Sequence, residues 1–120
     1  MIAEQEIRTI DISPLIGSKT KTTVNVPDGV QILEGGADKP ANHHMFRILH
    51  PLKGDERLCW DSTNFADIKG AKKMFVDLIE KGLTPYRVGT NGKATSETMD
   101  EFDPSAEEVI FLSHQLVVGG

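Results

Sequence analysis

The chain has 120 residues, of which 38% are hydrophobic, and this suffices for one ordinary domain but not for two separate cores. Lysine and arginine number 13 against 18 aspartate and glutamate, so the net charge of −5 argues against a duplex-binding protein, whose affinity depends on neutralising phosphates. The longest apolar stretches, 109–112 and 116–118, are far shorter than the roughly 20 residues that span a bilayer. We therefore expect neither nucleic acid nor a membrane as a partner.

The N-terminal sequence and the single cysteine bear on the compartment. Residues 1–6 have neither a basic start nor an apolar run, so they do not resemble a signal peptide and a cytoplasmic location is expected. Cys59 is the only cysteine, so it cannot form an internal disulfide. Its place beside Trp60 in a predicted strand favours a small buried hydrophobic residue over a nucleophile.

Residues 1–44 are predicted to form an N-terminal extended arm or hairpin followed by a linker. Alternating patterns at residues 7–12 and 22–26 predict two strands, and residues 14–18 predict a turn between them. The run from Gly35 to Asn42 consists almost entirely of turn and linker residues, which predicts a flexible joint. The folded domain is predicted to occupy residues 45–120.

The domain is predicted to open with a β-hairpin. Residues 45–50 and 57–60 alternate between apolar and polar side chains, and Lys53-Gly54-Asp55 between them has the composition of a turn. The pattern assigns four residues to one buried face: Phe46, Ile48, Leu58 and Trp60.

An amphipathic helix is predicted to follow the hairpin. Asn64 is a suitable N-cap, and Asp67 three residues later places a carboxylate near the helix N-terminus. Lys81-Gly82 is a typical helix end. Gly70 inside the helix costs about 1 kcal/mol relative to alanine, so it predicts close approach of another segment. The apolar stripe that should face the core comprises Ile68, Ala71, Phe75, Leu78 and Ile79.

Three further strands are predicted after the helix. Residues 83–88 form a strand that Pro85 confines to a sheet edge or to the strand's first residues, and residues 98–102 form a short, weak strand after a turn at 89–92. Residues 109–118 form the longest strand, whose first half is apolar on both faces and should lie centrally in a sheet. The predicted order is ββαββ, or ββαβββ when the weak strand is counted, in an α+β fold.

This order, together with two stretches of sequence, resembles the β-grasp fold of the ubiquitin-like proteins. Residues 45–54, Met-Phe-Arg-Ile-Leu-His-Pro-Leu-Lys-Gly, are similar to the family's opening strand and glycine turn. Residues 109–120, Val-Ile-Phe-Leu-Ser-His-Gln-Leu-Val-Val-Gly-Gly, are similar to its last strand and diglycine tail. The resemblance covers about two-thirds of the chain, residues 45–120.

The resemblance implies a non-enzymatic protein modifier. In that family the C-terminal carboxylate is activated as an adenylate, passed to a cysteine thioester of a partner enzyme and joined to an amine of a target. Gly119 and Gly120 would be the conjugation tail, because glycine lets an extended backbone enter a narrow active site. Leu116, Val117 and Val118 would contact partner proteins, and these apolar residues, where well-known relatives carry arginine, are more similar to bacterial or phage relatives.

Other readings of the sequence remain open. The glycine pair could be a frayed terminus, and the chain could be a structural or adaptor protein, such as a small phage virion component, that acts by β-strand addition. The histidines His43, His44, His50 and His114 lack the spacing of a metal site, and the pair at 43–44 is interpreted as solvated linker. The six carboxylates between Glu97 and Glu108 are interpreted as a solvated face. No cofactor, metal or catalytic constellation is predicted.

Overall fold

The computed structural model describes residues 8–17, 19–34, 37–49, 55–88 and 94–113. Within these ranges the chain forms eight strands and two helices. In chain order they are β1 (Arg8–Asp11), α1 (Ser13–Ile16), β2 (Thr23–Val26), β3 (Val30–Leu33), β4 (His43–Ile48), β5 (Glu56–Asp61), α2 (Phe65–Glu80), β6 (Leu83–Val88), β7 (Ala94–Thr98) and β8 (Glu108–Ser113).

Six strands form one mixed sheet in the order β3-β5-β4-β8-β6-β7. Its neighbours pair antiparallel, except that β4 and β8 run parallel, with Met45 opposite Glu108 and Ile48 opposite Phe111. Strands β1 and β2 form a separate two-stranded antiparallel sheet. The chain is therefore a mixed α+β protein, and the predicted class is confirmed.

The predicted hairpin corresponds to β4 and β5, which pair along their whole length from His43 opposite Asp61 to Ile48 opposite Glu56. Alternation along a strand sends successive side chains to opposite faces. The four residues assigned to one buried face are each at most 1% exposed: Phe46, Ile48, Leu58 and Trp60. The predicted pairing and its buried face are confirmed, whereas Lys53 and Gly54 of the predicted turn lie outside the described residues.

Helix α2 begins after Asn64, as predicted. The Asn64 side chain accepts hydrogen bonds from the amides of Ala66 and Asp67 at 2.9 and 3.2 Å, which satisfies two of the donors left open in the first turn. At the other end Lys81 is the C-cap and Gly82 has a φ of +109°, a conformation that glycine adopts without steric cost. Both predicted ends of the helix are confirmed.

The apolar side of α2 packs on the sheet. Of the predicted stripe, Ala71, Phe75 and Leu78 are buried, and Ile68 and Ile79 are partly buried against the core. Met74, which the predicted stripe left out, is also buried at 1% exposure. Strand β2 also packs against α2, and Val24 and Val26 belong to the same hydrophobic cluster as Met74.

Gly70 marks a close contact between α2 and the N-terminal segment. A Cβ at Gly70 would lie 2.8 Å from the carbonyl oxygen of Asp28 and 3.4 Å from the Cβ of Pro27. Both residues belong to the connection between β2 and β3. The predicted close approach at this glycine is confirmed, and its partner is a turn.

Five aromatic side chains form the centre of the core. Phe46 lies between the others, with ring centroids 5.3 Å from Phe111, 6.1 Å from Trp60, 6.1 Å from Phe102 and 6.4 Å from Phe75. The pairs with Phe111 and Phe102 are edge-to-face, a geometry that aromatic quadrupoles favour. The cluster joins β4, β5, β8, α2 and the loop after β7.

The N-terminal strands share this core. β1 and β2 were expected from the sequence, whereas the predicted turn at 14–18 contains the single helical turn α1, followed by Gly17 in the left-handed region. β3 was missed, and it pairs with β5 at the edge of the large sheet, Val30 opposite Trp60. Five buried side chains of β1, β2, α1 and the residue that precedes α1 belong to the one hydrophobic cluster: Ile10, Ile12, Leu15, Val24 and Val26.

The strands after α2 differ in detail from the predictions. β6 lies inside the sheet between β8 and β7, so the prediction of an edge strand is wrong. The other alternative holds: Pro85 is the third residue of β6 and precedes Tyr86, the first β6 residue that pairs with β7. The weak strand predicted at 98–102 is wrong in position, because β7 ends at Thr98. Met99 is buried and Phe102 packs against the core, so the apolar residues that predicted a strand here belong to a loop that packs on the core.

Candidate functional site

The strand that leads to the predicted conjugation tail is central in the sheet. β8 pairs with β4 on one side and with β6 on the other, and Val109, Ile110 and Phe111 are each at most 6% exposed. The predicted central position and the apolar character of both faces are confirmed. The strand is described as far as Ser113, so its predicted continuation to Val118 lies outside the described residues.

The predicted site residues also lie beyond that point. Gly119 and Gly120, assigned to conjugation, and Leu116, Val117 and Val118, assigned to partner binding, lie outside the described residues. They remain predictions from the sequence. The turn predicted at 89–92 lies outside the described residues as well.

The acidic stretch 97–108 is a solvated face only in part. Four of its carboxylates are exposed, but Asp103 and Glu108 are half-buried and paired with arginines from elsewhere in the chain. Asp103 accepts hydrogen bonds from the Ser105 hydroxyl at 2.6 Å and from Arg87 Nη2 at 2.8 Å. These hydrogen bonds stabilise the carboxylate and lower the pKa of Asp103 from 3.8 to about 2, and the bond from the Ser105 hydroxyl has the largest effect. The interpretation as a solvated face is wrong for these two residues.

A second charged cluster lies on the face of the sheet opposite α2. Arg47 of β4 has its Nη2 3.4 Å from Glu108 Oε1 and its Nε 3.5 Å from Asp55 Oδ2. Arg47 also stands directly opposite Arg57 in the β4–β5 pairing. Like charges at such positions repel, and the two carboxylates offset that repulsion. We interpret this cluster as a stabilising feature of the sheet.

The histidine pair lies in a strand. His43 and His44 begin β4, opposite Asp61 and Trp60, and both are half-buried, so the interpretation as solvated linker is wrong. The ring of His44 lies edge-on to Trp60 at 4.9 Å between centroids. Within the described ranges no group of three His, Cys, Asp or Glu side chains is placed to hold a metal ion, and His50 and His114 lie outside those ranges.

Cys59 is fully buried in β5, which confirms its interpretation as a small buried residue. Burial raises the pKa of its thiol, and the positive charge of Lys39 acts in the opposite direction. A raised pKa disfavours the thiolate, which is the nucleophilic form. The thiol is thus suited to packing and poorly suited to nucleophilic chemistry.

The sequence reasoning missed a groove between α2 and β2. Its volume is about 590 Å³. We call it the lysine groove. The residues that line it are Asn25, Pro27, Lys69, Lys72, Lys73, Met74, Val76, Asp77, Glu80 and Lys81. The helical spacing of the lysines at 69, 72 and 73 was available from the sequence, but their position beside β2 depends on the packing of the N-terminal strands on α2.

The comparisons with known proteins do not assign the chain to a group. No protein family model, curated protein or solved structure matches it. Within the described ranges, neither helix has both the length and the apolar character needed to cross a bilayer.

Proposed function

We propose that the chain is a β-grasp protein of the ubiquitin-like type and acts as a non-enzymatic modifier, conjugated to targets through Gly120 by partner enzymes. The observation that carries the proposal is the central position of β8, the strand that precedes the tail. The element order β4-β5-α2-β6-β7-β8 supports it, because a hairpin, a helix and then further strands is the order expected from the resemblance.

Pairing on both sides of β8 gives the tail a rigid base. Seven residues, 114–120, follow Ser113 in the sequence. A segment of that length reaches at most about 25 Å when extended. That reach would let Gly119 and Gly120 enter a partner's active site while the sheet stays folded, and Leu116, Val117 and Val118 would supply the apolar contacts along the way.

Deleting Gly119 and Gly120 tests this proposal. An N-terminally tagged chain is expressed in its source cells, and the tagged species are separated by size and identified by mass spectrometry. We expect covalent adducts in which Gly120 is joined to a lysine amine, and we expect them to disappear from the deletion variant. Intact-mass measurement of the free chain establishes its last residue. Adducts that persist after the deletion, or a chain that remains free while an activating enzyme is present, would contradict the proposal.

A second candidate function, a structural or adaptor role by β-strand addition, is supported by β3. This strand is at the edge of the sheet, and its sequence Val-Gln-Ile-Leu contains none of the lysine or proline residues that commonly protect such edges. A partner strand could extend the sheet there. Gln31 is exposed, so Gln31→Lys should weaken assembly in sedimentation experiments without changing conjugation, and unchanged assembly would count against this role.

A further inference from the structure

The outer side of α2 carries a concentration of positive charge on a chain whose net charge is −5. Lys69, Lys72 and Lys73 are all exposed, and within the described part of the chain none of them has an ion pair or a hydrogen bond. Like charges three or four positions apart on a helix destabilise it by roughly 0.2–0.5 kcal/mol per pair. Asp77 and Glu80 also line the groove, so its four lysines face two carboxylates and an excess of two positive charges remains for an anionic ligand to offset.

The fourth lysine of the groove is already engaged. Lys81 Nζ lies 3.6 Å from Asp77 Oδ1 and donates to the carbonyl oxygen of Thr23 at 3.3 Å. This contact ties the end of α2 to β2 and holds one end of the groove in place. Lys69, Lys72 and Lys73 lie about two to three turns earlier along α2, and Lys69 is adjacent to Gly70, where the β2–β3 connection packs.

The groove is not purely charged. Pro27, Met74 and Val76 contribute apolar surface to it, and Val76 is 43% exposed on the outer side of the helix. A volume of about 590 Å³ lies within the range of roughly 300–1,000 Å³ that is usual for ligand sites. An occupant that matches this lining has both carboxylates and apolar side chains.

Carboxylates on the other side of α2 disfavour a long polyanion that extends across the helix. A second groove there shares Lys72, Val76 and Glu80 with the lysine groove and adds the carboxylates of Asp100 and Glu101 beyond them. A nucleic acid strand that crossed the helix would meet these charges and be repelled, whereas a short segment confined to the lysine groove would not.

We infer that the lysine groove binds an acidic, partly apolar peptide segment of a partner protein. The segment's carboxylates would meet Lys69, Lys72 and Lys73, and its apolar side chains would cover Val76 and Pro27. The inference goes beyond the proposed function, because it concerns α2 and β2 and would hold whether or not Gly120 is conjugated.

The probe for this inference is a short labelled peptide in which glutamate alternates with leucine, and affinity is measured by fluorescence anisotropy. The double variant Lys69→Gln/Lys73→Gln removes charge inside the groove. Lys19→Gln/Lys21→Gln is its matched control, because it removes the same charge from exposed lysines that do not line the groove. Both pairs of substitutions therefore change the net charge from −5 by the same two units.

We expect peptide affinity to fall roughly tenfold in the groove variant and less than about twofold in the control. Amide shifts in NMR spectra of the full chain should change at Asn25, Lys72 and Val76 on titration. Equal losses in both variants, or no binding up to about 1 mM peptide, would overturn the inference. Single-stranded DNA that binds with the same dependence on Lys69 and Lys73 would overturn it too, since the site would then recognise polyanions in general.

Discussion

Phe46 is expected to be the most sensitive position in the core. Its side chain is 0% exposed and touches four other aromatic rings, two of them edge-to-face. Truncation of a buried phenylalanine to alanine costs about 3–5 kcal/mol, from lost transfer free energy and the cavity left behind. The two edge-to-face pairs put Phe46→Ala in the upper half of that range, since each adds roughly 0.5–1.5 kcal/mol beyond area burial.

Urea unfolding followed by tryptophan fluorescence measures this loss, because Trp60 lies in the same cluster. With an m-value of about 2 kcal/mol per molar, a loss of about 4 kcal/mol lowers the midpoint by roughly 2 M. Phe65→Ala is the matched control: the same change at a side chain that is 80% exposed should alter the free energy of unfolding by less than about 0.5 kcal/mol.

The milder Phe46→Leu keeps the measurement possible if the alanine variant does not fold. It should lower the midpoint less, because it leaves a smaller cavity and removes mainly the aromatic contacts. A Phe46→Ala midpoint within about 0.5 M of the parent, or an equal loss in Phe65→Ala, would refute the placement of Phe46 at the centre of the core.

Three further predictions concern helix α2 and the hydrogen bonds to Asp103. Gly70→Ala should destabilise the fold by about 1 kcal/mol in urea unfolding despite the better helix propensity of alanine, because the new Cβ would lie 2.8 Å from a carbonyl oxygen; a more stable variant would contradict this contact. Asn64→Ala should cost about 1 kcal/mol and speed amide exchange in the first turn of α2, and unchanged exchange would rule out the cap. Hydrogen bonds from Ser105 and Arg87 lower the pKa of Asp103 to about 2 from an ordinary value of 3.8, so its contribution to stability is present above pH 3.8 and is lost as the pH falls toward 2. NMR titration should report this pKa, and Asp103→Asn should remove that part of the acid dependence; an unchanged dependence would contradict it.

Conjugation and peptide binding depend on different residues of the chain, so they can be tested separately. Conjugation depends on Gly119 and Gly120 and on the anchoring of β8, whereas peptide binding depends on Lys69, Lys72 and Lys73. Deleting the glycine pair should leave peptide affinity unchanged, and the groove variant should leave conjugation to a target amine unchanged. Failure of either proposal can therefore be recognised without reference to the other.

Local patterns in the sequence were sufficient for the elements whose signal is repeated within a few residues. Alternation placed Phe46, Ile48, Leu58 and Trp60 on one face, and the helical stripe with Asn64 and Gly82 gave both ends of α2. Each depends on backbone periodicity and on capping chemistry, which involve only neighbouring residues. The central position of β8 was also accessible, because a strand that is buried on both faces is apolar on both.

The tertiary structure decided everything that joins distant segments. β3 pairs with β5, a strand more than twenty residues further along the chain, and Met99 and Phe102 pack on the core although they lie outside any strand. Arg87 pairs with Asp103, and the lysines of α2 become one wall of a groove, because folding brings together segments that are far apart in the chain. Such contacts arise from long-range packing, and a short stretch of sequence does not specify which distant residue will contact it.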